Sequence, residues 1–228
     1  MDYQKNLRYY QNKKIMLYGS AALLAAGVLL WVFPRSADNR FIMYILSILF
    51  ILVGGAALII TVTSRASDKM IDEAVAESLK LFEEETLQRF DLYERQLPFV
   101  ESAVLEGYKY FDNSYLRRDK QGKYRTERYA KTHVYFTSEE LCIGAWEISL
   151  IEDKKTDKSA AVKYADTEKA YLTDDSMIYK KGNKNTEVKY QTLHIKKKDG
   201  EELTFQAYSS EALDRLRDDI NHVCERFR

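Results

Sequence analysis

The residues best equipped for chemistry in this 228-residue chain lie between Arg117 and Lys131, in the run RRDKQGKYRTERYAK. Seven bases (Arg117, Arg118, Lys120, Lys123, Arg125, Arg128 and Lys131) stand against Asp119 and Glu127, a net +5 over 15 residues. Tyr115, Tyr124 and Tyr129 are interleaved with them, and Gln121-Gly122 reads as the tip of a hairpin. Lys and Arg donors converging on a backbone turn can hold a phosphate or an anionic lipid headgroup, because charge-assisted bonds to phosphate oxygens are short and strong. Three readings stand side by side: a solvated charged face, a contact with an anionic membrane surface, and a phosphate pocket. Strand alternation would divide these charges between two faces, which favours the first. Lys180, Lys181, Lys184 and Lys196 to Lys198 form a second basic group, expected on the loop ends of neighbouring strands.

The other reactive side chains carry less. Glu83 to Glu85 are three consecutive carboxylates on an expected helix and so point in different directions, which makes a poor cation site. Cys142 and Cys224 are too far apart in sequence to suggest a disulfide framework; they suit a reducing compartment and core positions. His133, His194 and His222 form no ligand-spaced pair with one another or with a cysteine, so no metal site is expected. The chain has no nucleophile elbow, glycine-rich phosphate loop or HExxH pattern. The expectation is therefore no catalytic residues, no enzyme activity and no cofactor. With 35 basic and 35 acidic residues it lacks the basic excess of a general nucleic-acid binder.

The elements that position these residues begin with two apolar runs. Ile15 to Phe33 is 19 residues without a charge, and Phe41 to Thr63 is 23 more. At 1.5 Å per residue they reach about 28 and 34 Å, enough for a hydrocarbon core of about 30 Å. Pro34 closes the first, and a loop over 34–40 forces an antiparallel hairpin. Lys5, Arg8, Lys13 and Lys14 precede the first span, Arg35 and Arg40 lie between the spans, and Arg65 and Lys69 follow the second. That bias places residues 1–14 and everything after 63 in the cytoplasm, so the chain is expected as a multi-pass protein of the cell membrane. Small residues, among them Gly19, Ala22 and Ala26 in the first helix and Gly54 and Gly55 in the second, let backbones approach. The approach is either within the hairpin or between copies in a homo-oligomer. Neither span carries an ionisable side chain, which disfavours a transporter.

From Ser67 to Leu97 there is no Gly or Pro, and Ile71, Val75, Leu79, Phe82, Phe90, Tyr93 and Leu97 form one stripe. A single juxtamembrane amphipathic helix within 64–98, about 46 Å long, is expected to pack on the following domain. Residues 99–228 then read mostly with period two. Val134 and Phe136 alternate with polar partners, and the phase shifts at Gly144, suggesting a bulge. Asp174-Asp175 reads as a turn, and Asp199-Gly200 joins a strong hairpin of Leu193 and Ile195 with Leu203, Phe205 and Ala207. After Ser209-Ser210, Leu213, Leu216, Ile220, Val223 and Phe227 mark one amphipathic helix.

The strand pair around TSEEL, the final pair with Asp199-Gly200 and the terminal helix are together similar to the pleckstrin-homology-like (PH-like) domains of bacterial membrane proteins. The resemblance covers most of residues 99–228 and implies a small antiparallel β-barrel capped by its C-terminal helix. It also implies non-catalytic binding of lipids, peptides or partner proteins. Lys120, Lys123 and Arg125 are similar in spacing to the basic motif of phosphoinositide-binding pleckstrin domains, although the basic insert itself departs from the usual pattern. The expected architecture is thus a membrane α-hairpin, a juxtamembrane helix and an α+β PH-like domain. The expected function is a binding module or scaffold facing the anionic inner leaflet or a protein partner. The alternative is an obligate accessory subunit assembled through its transmembrane hairpin.

Overall fold

A computed structural model describes residues 1–11, 14–33, 40–63, 66–98, 100–181, 184–207 and 211–227. The chain divides into two units, Asp2–Ser67 and Asp68–Arg228. The first is helical. Asp2 Oδ1 accepts the Lys5 N–H at 3.0 Å and so caps α1 (Tyr3–Tyr10), placing a helix inside the basic tail. Two apolar helices follow, α2 (Lys14–Val32) and α3 (Arg40–Thr63). They run antiparallel: Trp31 meets Tyr44 with ring centres 5.3 Å apart, Gly27 lies against Ser47 and Ile51, and Gly54 lies against Ser20 and Leu24. Among the described residues one helix, Phe41–Thr63, is long and apolar enough to cross a membrane, and Met16–Val32 is a shorter apolar helix. Pro34 and the expected loop as far as residue 39 lie outside the described residues, as do Lys13, Arg65 and Ser209-Ser210.

The second unit is α+β. It opens with α4 (Asp68–Ser78) and α5 (Phe82–Arg89). There follow β1 (Ala103–Tyr108), β2 (Arg117–Arg118), β3 (Tyr124–Arg125), β4 (Arg128–Phe136), β5 (Glu140–Ser149), β6 (Lys155–Asp157) and β7 (Ala160–Lys163). The long pair β8 (Thr167–Lys181) and β9 (Lys184–Lys197), then β10 (Glu202–Ala207) and α6 (Glu211–Arg226), complete it. All pairings are antiparallel. One sheet runs β1-β4-β5-β6 with β7 also on β5, a second runs β10-β9-β8, and β2-β3 is a separate ribbon. Among the described residues no strand ladder joins the two larger sheets, so the sheets do not close as the expected barrel would. The core lies between them and α6. Val134, Leu141 and Ile143 from the first sheet meet Leu193, Ile195 and Phe205 from the second, and Leu213, Leu216, Ile220 and Val223 supply the helix stripe that the spacing predicts. The Asp199-Gly200 turn is also as expected, with Gly200 at φ +91°, a conformation glycine adopts without strain.

Three local expectations fail for identifiable reasons. The continuous helix over 64–98 is broken at Leu79–Leu81 and ends at Arg89. A straight helix of that length would overrun a sheet whose strands repeat every 4.8 Å or so. Instead α5 lies on β5, with Phe82 edge-on to Trp146 at 5.1 Å. Its end is a Schellman turn: Leu92 N–H bonds Leu87 C=O at 3.0 Å, Asp91 N–H bonds Gln88 C=O at 3.3 Å, and Asp91 takes the left-handed φ of 49° that glycine usually fills. Gly144 is not at a bulge, because the β4-β5 register runs without a shift from Arg128↔Ser149 to Phe136↔Leu141. The glycine is needed because a Cβ there would overlap Thr86 of α5. The phase change arises because β5 is buried on both faces: Leu141, Ile143 and Ala145 toward the main core, Cys142 with Leu92 and Tyr135. Lastly, Asp174 and Asp175 lie within a continuous β8, where Gln191 and Thr192 of β9 donate to their carboxylates at 2.8 and 2.6 Å.

Candidate anion-binding surface

The basic run folds as the spacing predicts, into the ribbon β2-β3 with Gly122 at φ +89° in its turn. Asp119 shapes the tip. Its Oδ1 accepts from the backbone N–H groups of Gln121 (2.9 Å) and Lys123 (2.8 Å), an Asx-type turn that an aspartate two residues ahead provides. Its Oδ2 accepts from Arg125 Nε at 2.9 Å. Arg125 is buried and also donates from Nη1 to Asp72 of α4 at 2.5 Å and to the Tyr108 hydroxyl at 3.0 Å. Burial opposes the charge of this guanidinium, but the bonds to Asp72 and Asp119 outweigh it, and the pKa is raised.

The seven bases do not make one surface. Arg125 is taken up by the two aspartates. Arg128 donates to Glu147 at 3.0 Å and lies over the Phe111 ring at 4.5 Å. Lys131, an odd number of residues along β4, pairs with Glu106 at 3.8 Å and lies 5.6 Å from the Phe82 ring centre. Arg118 donates from Nε to Gly122 C=O at 2.9 Å. Arg117 opens β2, paired with Arg125 in the register. Lys120 and Lys123 are left exposed at the tip, and among the described residues no carboxylate stands against either ammonium. Beside them opens a groove of about 600 Å³, walled by Val75 of α4, Leu79 just after it, Tyr108 of β1 and Tyr129 of β4, with both Lys123 and Arg125 and the carboxylates Asp72 and Glu106 on its lining. The second basic group is split between strand ends: Lys180, Lys181 and Lys184 lie at one end of the β8-β9 pair and Lys196 and Lys197 at the other, about 44 Å away at 3.4 Å per residue.

A convergent cluster exists that has no local run to announce it. Glu147 receives Lys109 (2.6 Å), Arg128 (3.0 Å) and Lys158 (3.3 Å) around one carboxylate. Burial opposes the charge of Glu147, and the bond from Lys109 with help from Arg128 and Lys158 overcomes it, holding the carboxyl at about 2. Burial lowers the Lys109 pKa despite that partner. A cavity of about 100 Å³ beside them is lined by Thr132, Thr192, Thr204 and Gln206. The sequence signal is absent because strand pairing, not spacing, brings Lys109 (after β1) and Lys158 (after β6, its N–H on the Ala145 carbonyl) to Glu147 of β5.

The remaining candidates resolve simply. Cys142 and Cys224 are buried and not joined in a disulfide, and burial pushes the Cys142 thiol up to about 11. His133 lies between Ser102 (3.0 Å) and the Tyr135 hydroxyl (2.7 Å), where burial holds it neutral with a pKa of about 4. Among the described residues no group of three His, Cys, Asp or Glu side chains is placed to hold a metal ion. In the helical unit, Gly54 lies against backbone, since a Cβ there would stand 2.9 Å from Leu24 N and 3.1 Å from Ser20 O. Gly19 and Gly55 have nothing within 4 Å, Ala22 is exposed and Ala26 half-buried. The other close approach is Gly27, where Ser47 Oγ donates to the Gly27 carbonyl at 2.6 Å. Gly27 directly follows the small pair Ala25-Ala26, and only the phase of the two helices decides that it is the residue at the contact.

Comparison with known proteins gives no match: no family model, no curated protein and no solved structure resembles the chain.

Proposed function

We propose that this chain is a membrane-anchored, non-catalytic binding protein whose α+β unit, PH-like in plan, docks on the anionic inner leaflet through the tip of the β2-β3 ribbon. In this reading both apolar helices span the bilayer as a hairpin and both termini are cytoplasmic, as the lysine and arginine bias favours. The observation that carries it is the pair Lys120 and Lys123, exposed at a turn built by Asp119, their ammonium groups without a carboxylate partner among the described residues. Each base near an anionic leaflet adds about 1 kcal/mol, and a tethered unit meets no capture cost. Because α5 covers β5, the unit to test runs from residue 68, not 99. Flotation of residues 68–228 with anionic vesicles, released by salt and lost on Lys120→Glu with Lys123→Glu, is the expected result. Equal flotation with neutral vesicles, or flotation that the double variant keeps, rejects the lipid contact and leaves a protein partner to be sought.

A second reading, an accessory subunit assembled through the helices, has its own support. Gly19 and Gly55 leave a small-residue face with nothing against it among the described residues. Gly55→Leu should then abolish association in detergent while Gly54→Leu disrupts the α2-α3 contact itself. Association that survives Gly55→Leu removes this reading.

A further inference from the structure

Building on the leaflet-docking reading, we infer that α4 is an internal competitor for the ribbon's anion site. The Asp72 carboxylate and Asp68 occupy the Arg125 guanidinium and the Lys120 backbone N–H, and a phosphate-bearing ligand binds by displacing them and freeing the first turns of α4.

The two aspartates on Arg125 are not equivalent. Asp119 is 1% exposed and is fixed by two backbone N–H donors besides Arg125 Nε, so it belongs to the turn. The Asp72 side chain is 58% exposed and takes the other edge of the guanidinium, Nη1 at 2.5 Å and Nη2 at 3.4 Å. That two-nitrogen edge is the fork that phosphate oxygens accept in pairs. One turn earlier, Asp68 Oδ2 accepts the Lys120 N–H at 3.2 Å and its carbonyl lies 3.5 Å from Arg125 Nη1. The first turns of α4 therefore present two carboxylates to the ribbon where a phosphate would present its oxygens. The groove, whose lining holds Lys123, Arg125 and the Lys131–Glu106 pair as well as Asp72 itself, gives an incoming anion a route to that edge without unfolding the turn. Lys123, whose ammonium has no carboxylate partner among the described residues, supplies the first contact, and Asp72 is the group exchanged. A carboxylate with one negative charge is the weaker competitor for a guanidinium than a phosphate with nearly two. Linkage makes the effect reciprocal: whatever pulls α4 away raises the anion affinity, and anion binding loosens α4. Since α4 begins five residues after α3 ends, the segment leading from the candidate span is the one that reports occupancy of the site.

The test uses the full chain in phosphatidylcholine nanodiscs. One arm titrates inositol hexakisphosphate as a soluble probe, and the other raises the phosphatidic acid fraction of the disc with no probe added. The arm that responds identifies a free or a lipid-borne phosphate as the source. Expected are faster amide exchange across Asp68–Ala76 on binding, and a midpoint at least about fivefold lower for Asp72→Asn. Glu73→Gln makes the same charge change one residue along, on an exposed side chain paired only with Lys69, and should stay at the wild-type midpoint. Equal gains from Asp72→Asn and Glu73→Gln would reduce the effect to net charge and overturn the competitor. Unchanged exchange of α4 with the anion bound overturns it as well. If neither wild type nor Asp72→Asn binds in either arm, the leaflet-docking reading itself fails, and the competitor fails with it.

Discussion

Two ionic clusters in the Asp68–Arg228 unit are opposites in composition. At the ribbon, one buried cation, Arg125, sits between Asp72 and Asp119, so the set is net −1. At Glu147, one buried carboxylate is ringed by Lys109, Arg128 and Lys158, so the set is net +2. The first lies in the most basic stretch of the sequence and its arginine is neutralised; the second draws only Arg128 from that stretch and keeps a positive surplus. Charge density along a chain is therefore a poor guide to charge density in space. What matters is which carboxylates the fold delivers. Arg125 meets its partner from α4 because Asp72 lies about one turn beyond Asp68 on the face toward the ribbon. Glu147 meets its cations because it is centred on the pairing of β5 with β4.

That contrast can be broken or sharpened by four measurements. Arg125→Met should have the largest effect, about 3–5 kcal/mol, because it strands Asp119 as a buried charge. The thermal midpoint of the full chain in nanodiscs should fall by about 10 °C; a fall of a degree or two would mean that Arg125 is no keystone. Glu147 comes next. Its carboxyl ionises at about 2 in the fold against an ordinary value of 4.5, a depressed pKa. Its contribution is therefore present above pH 4.5 and is lost as pH falls toward 2, amounting to about 3 kcal/mol. Glu147→Gln should flatten the stability profile in that window and leave the profile above pH 5 with the same slope. A steep acid limb in the variant assigns the loss to other carboxylates. Gly144→Ala should cost about 1–3 kcal/mol by forcing α5 off β5, and adding Thr86→Ala should return part of it. Additive losses in that double variant would place the strain elsewhere. Smallest is Lys123→Gln, within about 0.5 kcal/mol in stability yet expected to weaken flotation with anionic vesicles. Of two bases two residues apart, only Arg125 would then carry the stability of the fold.

The same lesson governs how far the sequence could be read. The α6 stripe and the Asp199-Gly200 hairpin are local patterns with one buried face, and both are where periodicity puts them. The antiparallel α2-α3 pairing follows from two apolar runs with a short link, but which glycines touch depends on helix phase, and Gly27 replaced Gly19 and Gly55. The end of α5 was hidden because an aspartate, not a glycine, takes the left-handed position. Within the candidate surface, the turn at Gln121-Gly122 was legible from its residues. The commitment of Arg125 was not, since Asp72 is 53 residues away and belongs to an element expected to be one long helix.

The burial of β5 on both faces has a consequence for variation along the chain. Its edges are paired as well, β4 on one side and β6 and β7 on the other, so no direction from this strand leads to solvent. In β8, positions from Thr173 to Lys180 alternate between half-buried and exposed, and every second residue has room to change. In β5 no such rhythm is available. A substitution library read through both strands should show tolerance with a period of two in β8 and almost none at any position from Leu141 to Ser149. Change in this protein should therefore accumulate around β5 and leave that strand nearly constant.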